Sequence, residues 1–169
     1  MNKKQTLYLL RHAEAEPWFP GVHDLERSLS KAGTRHMEKL AEWASSNLEP
    51  PERVLCSPSV RTRETLAPLV AGWIGGQADI RFEPDVYEAT TGCLQSLVEA
   101  GLLSCNRLML VGHNPGLEYL FQSIGRPESD DRVEKMATGS LAVIEFDGGW
   151  VESAGGGRIA CWISRSQFD

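Results

Sequence analysis

No hydrophobic run in this 169-residue chain approaches the roughly 20 residues that a membrane-spanning helix requires. The apolar stretch near the N-terminus, Leu7 to Leu10, ends at Arg11 and is too short for a secretory leader. Cysteine is sparse and unpaired in pattern. Cys56, Cys93, Cys105 and Cys161 form no CxxC and no Cys/His zinc spacing, so reduced thiols in a cytoplasmic setting are the simplest account. No DxD, HExxH or Walker pattern occurs that would argue for a metal or another cofactor. Positive charge is also in short supply: 17 Lys and Arg face 23 Asp and Glu, for a net charge of −6. Such a chain exerts no long-range pull on nucleic acid or an anionic membrane, and neither is expected as a partner. Any anion it handles must be held by a local cluster of cations.

What is present is ordinary for a folded protein, with 41% hydrophobic and 24% charged residues, and the length fits a single domain over residues 1–169. Three apolar runs read as buried strands: Leu7 to Leu10, Arg53 to Cys56 and Arg107 to Val111. Between the first two, Ser30 is placed as an N-cap, and Met37, Leu40, Ala41, Ala44 and Leu48 recur at helical spacing until Pro50 and Pro51. A second helix is expected over SPSVRTRETLAPLVAGWIGG, with Pro58 in its first turn, a kink or early stop at Pro68 and an end at Gly75-Gly76. DIRFEP reads as a short extended piece, and TGCLQSLVEAGLL and PGLEYLFQSIG as helices on either side of the third strand. The last third alternates apolar and other residues around Gly-rich turns, the pattern of antiparallel strands. The fold class this implies is α/β, a single-domain three-layer sandwich, with a mostly parallel central sheet and antiparallel strands added near the C-terminus.

Ligands of open parallel sheets gather at the carboxyl ends of the strands. The first strand ends in Arg11-His12. The second ends in Ser57, with Arg61 and Thr65 a turn or two later. The third ends in Gly112-His113-Asn114-Pro115, just before a helix. Parallel pairing would bring two arginines and two histidines to one edge, which is an anion site, with phosphate the anion that forked guanidinium donors suit best. Taken singly, each of these residues has an ordinary structural explanation. Their shared position at strand ends is what favours one site.

These residues carry a family resemblance. LYLLRHAEA resembles the RHG signature of the histidine phosphatase superfamily, with Ala13 where glycine is usual. SPSVRTRET resembles its S-P-x-x-R-x-x-x-T motif and LVGHNPGLEYL its second-histidine motif. HDLERSLSKAG and MATGSLAVIEFDGGW are similar to further segments of the small SixA-type protein-histidine phosphatases, with Ser28 and Ala137 standing where proline is common. The 48-residue step from Thr65 to His113 leaves no room for the helical insertion of larger relatives.

The resemblance implies His12 as nucleophile, forming a phosphohistidine without a metal, and Arg11, Arg61 and His113 as phosphate-binding and catalytic partners. A neutral imidazole suits attack near neutral pH, and one ring nitrogen needs a backbone carbonyl to fix the tautomer. Glu88, in DVYEAT, lies where relatives place a proton donor, with Asp85 and Glu14 as lesser candidates. Ser57, Arg27, His23 and Asn114 are possible substrate contacts. His36 is expected on the surface. Trp43, Trp73, Trp150 and Trp162 read as packing residues; Trp18, beside Glu16-Pro17, is expected by default to be buried, with an aromatic at the site rim as the alternative. The implied substrate is a phosphohistidine-bearing protein, such as a phosphotransfer domain or phosphocarrier, with inorganic phosphate as product. The alternatives are a phosphorylated small molecule handled by the same chemistry, or a non-catalytic module that binds phosphate or a phosphoprotein. A mutase fits least, since it needs an enclosed pocket.

Overall fold

Strand β1 (Lys4–Arg11) is apolar on both faces because it runs through the middle of a seven-stranded mixed sheet. The computed structural model describes residues 4–127 and 135–168. Its other strands are β2 (Arg53–Cys56), β3 (Asp79–Phe82), β4 (Arg107–Gly112), β5 (Gly125–Arg126), β6 (Leu141–Asp147) and β7 (Gly157–Ile163), in the spatial order β3-β2-β4-β1-β6-β7-β5. Strands β1, β2, β3 and β4 are mutually parallel, β6 runs antiparallel to both β1 and β7, and the short β5 pairs in parallel with β7. The α/β class and the antiparallel C-terminal addition are as the sequence implies. The two-residue β5 is not, because so short an edge leaves no alternation to read.

Helices α1 (Lys31–Asn47) and α2 (Val60–Leu69) cover one face, and α3 (Thr91–Leu102) and α4 (Gly116–Ile124) the other. The two-residue period of β1 divides its side chains between these layers. Tyr8 and Leu10 pack with Met37, Leu40, Leu66 and Leu69. Leu7 and Leu9 pack with Leu94, Val98, Leu117 and Phe121. Ser30 caps α1, its side chain accepting the Gly33 N–H at 3.0 Å. Ser59, not Pro58, caps α2. Pro58 therefore lies outside the helix instead of in its first turn. Pro68 sits inside α2 without an N–H to give, and the regular helix ends one residue later in a wider, π-type turn over Val70–Ile74 that Gly75 closes at φ 72°.

Two side-chain expectations are overturned. His36 is buried, at 5% exposure, because the Gly139 carbonyl lies 3.0 Å from its Nε2 and Phe168 covers its ring. Trp18 is 58% exposed and Phe19 61%, since both project from the connection between β1 and α1. Trp73 and Trp150 are buried, and Trp43 and Trp162 pack partly buried against the two core layers. The four cysteines are free thiols, and among the described residues no helix is long and apolar enough to cross a membrane.

Helix α1 is drawn hard against the end of β1. A Cβ on Gly33 would lie 2.2 Å from the Glu14 carbonyl oxygen, and the Ser30 N–H donates to that same oxygen at 2.8 Å. Alanine normally stabilises a helix interior by about 1 kcal/mol over glycine. Here Gly33→Ala is expected to destabilise by about 1–3 kcal/mol, since backbone must move to admit the methyl group. Urea unfolding measures it; a midpoint equal to or above that of the parent protein would contradict the tight approach.

Candidate active site

The register of β1 on β4 pairs Arg11 with Gly112, so the next residue of each strand end, His12 and His113, stands beside the other. Their ring centroids are 5.3 Å apart. The His12 N–H donates to the Gly112 carbonyl at 3.1 Å, which ties the two strand ends together. Strand β2 lies on the far side of β4 and brings Ser57 and, from the first turn of α2, Arg61. The four residues expected to converge do so at one sheet edge.

Each ring is held in a defined tautomer. His12 Nδ1 lies 2.8 Å from the Ala13 carbonyl, which can only accept, so Nδ1 carries the proton and Nε2 an available lone pair. Arg61 Nη2 approaches His113 Nδ1 at 3.3 Å as donor, and His113 Nε2 then donates to Ser57 Oγ at 2.8 Å. Burial is the main cause that pushes the His12 pKa down to about 4. The Ala13 carbonyl opposes it, and the Arg61 and Arg11 charges add to it. Burial, then Arg61 and His12, push His113 to about 3. Both rings are neutral at pH 7.

The arginines are anchored from behind. Arg11 Nη1 donates to the Met136 carbonyl at 2.8 Å. Arg61 gives Nη1 to the Asp24 carbonyl at 2.6 Å and Nη2 to Asp24 Oδ2 at 2.8 Å. In both, the Nε–H is buried with no hydrogen-bond partner among the described residues. A buried donor left unmade costs about 1–3 kcal/mol, and two in one site mark a seat for an acceptor. Burial raises the Asp24 pKa, but hydrogen bonds from Arg61, Tyr87 and Arg27 outweigh it and hold the carboxyl down at about 2. Asp24 is thus a fixed anion behind Arg61.

Sequence reasoning missed Asp24, Tyr87, Glu118 and the role of Thr65. Tyr87 Oη donates to Asp24 Oδ2 at 2.8 Å, and its ring meets His113 edge-on at 5.4 Å. Thr65 Oγ1 accepts the Ala13 N–H at 3.0 Å and donates to the Arg61 carbonyl at 2.6 Å, joining the β1 end to α2. Glu118 Oε2 accepts from Met136 N–H and Asn114 Nδ2, steadying the carbonyl that holds Arg11. Asp24 lies inside the HDLERSLSKAG segment and Tyr87 directly before Glu88, so the segments were visible although the cross-loop bonds were not.

The remaining candidates divide. Ser57 and Asn114 reach the site through His113 and the Met136 carbonyl. Arg27 holds Asp24 at 3.1 Å and the Glu16 carbonyl at 3.0 Å, behind Arg61. His23 is exposed at the start of a short helical turn and makes no capping bond there. Glu88 is exposed, yet it lines a cavity of about 680 Å³ with Arg61, Tyr87, His113 and Tyr119. Glu14, a lesser acid candidate, is bound to Ser30 at 2.6 Å and to Arg165 at 2.6 Å. Ala13 is fully buried and outside the positive-φ region, so alanine fits where glycine is usual. The Ala137 N–H donates to the Lys135 carbonyl at 2.8 Å, a bond that proline could not make. Among the described residues no group of three or more His, Cys, Asp or Glu could hold a metal ion.

Two neutral imidazoles between two anchored guanidinium groups define a class of site, one for an oxyanion next to a nitrogen lone pair. Residues 7–104 match the family model of the histidine phosphatase superfamily, branch 1. The chain is 26% identical to a structure of the candidate phosphohistidine phosphatase SixA of Nakamurella multipartitia, with a TM-score of 0.78 over 95% of this chain and 96% of that one. A corresponding Agrobacterium tumefaciens structure gives 27% identity and a TM-score of 0.78 over 95% and 98% of the two chains. An uncharacterized protein of Mycobacterium tuberculosis is 29% identical across 85% of this chain and 90% of its own. The chain belongs to the histidine phosphatase superfamily, and its fold is that of the SixA structures.

The depressed histidines set a pH signature. Unfolded imidazoles take up protons near pH 6.5, whereas the folded ones do so only near 4 and near 3. The unfolded state therefore binds more protons below pH 6.5, and stability falls as pH falls. Between pH 7 and 5 the expected loss is about 1–2 kcal/mol per histidine. Urea unfolding across that range should show it, and His12→Ala should shrink it; an unchanged slope in the variant would contradict the burial of a neutral His12.

Proposed function

We propose that this protein is a phosphatase that removes the phosphoryl group from a phosphohistidine-bearing protein through a covalent phosphohistidine on His12, without a metal. The observation that carries this reading is the His12 ring. Its Nδ1–H is committed to the Ala13 carbonyl, and its Nε2 lone pair lies in the site that also holds the two unpartnered Arg Nε–H groups. Mere capture of phosphate has no use for a nucleophile fixed in its reactive tautomer, which disfavours a binding module.

In the first step Nε2 attacks phosphorus as the bond to the leaving group breaks. The equatorial oxygens gain charge, and the guanidinium groups of Arg11 and Arg61, each with an unpaired Nε–H, meet it as donors. His113 offers Nε2–H, now turned to Ser57, and the Ser57 hydroxyl supplies a further donor. As His12 Nε2 bonds to phosphorus the ring becomes cationic, which makes it a good leaving group for the second step. Water then attacks phosphorus, the P–Nε2 bond breaks, and inorganic phosphate leaves with His12 neutral again. A phosphohistidine substrate whose second ring nitrogen is already protonated departs as neutral imidazole, so it needs no separate acid. An ester needs a proton, and Glu88, which lines the adjoining cavity, is the candidate to supply it when protonated, which keeps a small phosphoester as the second reading.

The test is phosphate release, with EDTA present, from a phosphorylated histidine phosphotransfer domain and from p-nitrophenyl phosphate. The reading expects fast release from the first and slow turnover of the second. His12→Ala should abolish both, and Arg61→Ala should lower kcat by about 10²–10³. Glu88→Gln should impair the ester alone. Rapid ester turnover with no release from the phosphoprotein would give the site to a small molecule; release that survives His12→Ala would overturn the mechanism.

A further inference from the structure

The cavity that opens from His113 and Arg61 has a lining of consistent character. It runs between the 87–91 segment and the start of α4, with Tyr87 and Tyr119 as aromatic walls. Two carboxylates, Asp24 and Glu88, line it. Arg61 is the one cation among its lining residues, and both of its outer nitrogens are bonded to Asp24. Asp24 is paired with both Arg61 and Arg27, so among the lining residues the negative charge beyond the phosphoryl seat is that of Glu88.

Glu88 is held there deliberately by its neighbours. Its φ of 51° lies in the left-handed region, which few non-glycine residues adopt. Tyr87 before it is fixed through Asp24, and Ala89 after it is packed against α4 so closely that a Cβ on Gly116 would lie 2.3 Å from the Ala89 carbonyl. The two contacts over-determine the backbone between them and present the Glu88 side chain to the cavity. The N-terminus of α3 shares this wall and would by itself favour an anion. Its Thr90 cap already accepts the Cys93 N–H, however, and the fractional charge of a helix end is smaller than the full charge of Glu88 beside it.

We infer that this cavity is the leaving-group subsite, and that it admits an uncharged or cationic planar group, such as an imidazole, while rejecting a substrate that carries a second anion. The inference rests on the phosphatase reading of the site and narrows it. Bisphosphates, phosphorylated carboxylic acids and nucleoside di- or triphosphates are disfavoured by charge, whereas a phosphorylated histidine fits. Tyr119, 56% exposed at the mouth, is its outer wall and a specificity residue.

Non-hydrolysable phosphonates test this on the intact protein, by calorimetry at low salt. Inorganic phosphate, benzylphosphonate, 4-carboxybenzylphosphonate and 4-(aminomethyl)benzylphosphonate are compared. The expected order places the cationic and neutral rings together and the carboxylated ring about tenfold weaker. Glu88→Gln should narrow that gap. Tyr119→Ala should weaken benzylphosphonate while leaving inorganic phosphate binding as it was. Equal affinity for the neutral and carboxylated rings, or a gap unmoved by Glu88→Gln, would overturn the subsite. Failure of inorganic phosphate and every phosphonate to bind would instead overturn the phosphoryl site itself, and the subsite with it.

Discussion

The alignment of two parallel strands governs the rest of this molecule. Arg11 pairs with Gly112, and the His12 N–H bonds to the Gly112 carbonyl. A slip of one residue would turn every β1 side chain to the opposite face and exchange the leucines and tyrosine between two different core layers. The core therefore fixes the register, and the register places His12 beside His113. The site needs little scaffolding of its own because the sheet has already placed its two rings.

Around that edge the protein resolves a conflict between burial and charge. Two arginines near two imidazoles would be costly if all four were protonated. Burial and the guanidinium charges keep both rings neutral, and the anions that balance the arginines sit behind them, Asp24 directly on Arg61 and Glu118 close enough to favour the charge on Arg11. Arg61 is thereby tied down through both outer nitrogens and Arg11 through Nη1, with Nε–H left over in each. On the proposed reading, charge that develops on a bound phosphoryl group meets guanidinium groups whose positions are already fixed. The same carboxylate that steadies Arg61 also lines the adjoining cavity.

Much of this was legible from residue order alone. Continuous apolar runs marked the parallel strands, helical spacing and Ser30 marked α1, and the polar groups at three strand ends marked His12, Arg11, Arg61 and His113 as neighbours. These are local patterns read against one topological rule. What escaped were contacts between segments far apart in sequence. Asp24 reaches Arg61 across 37 residues and His36 meets Gly139 across 103, and no periodicity encodes either. His36 looked like one more polar residue on an amphipathic helix, yet its position faces the turn before β6. Burial is the default for a tryptophan, and that default says nothing about whether the loop carrying Trp18 has a wall to pack on. Pro58 falls outside α2 instead of in its first turn because the cap is Ser59, whose hydroxyl accepts the free Thr62 N–H at 3.4 Å.

The central claim is that a nitrogen of this chain becomes covalently bonded to phosphorus, and that the nitrogen belongs to His12. Rapid alkaline quenching of the protein during turnover of a phosphorylated phosphotransfer domain, followed by mass spectrometry under conditions that preserve the P–N bond, addresses it directly. The account predicts one transient phosphoryl adduct, acid-labile and base-stable, on the peptide bearing His12 and absent from His12→Ala. Phosphate release without any adduct on that peptide, or an adduct on His113 instead, would contradict it.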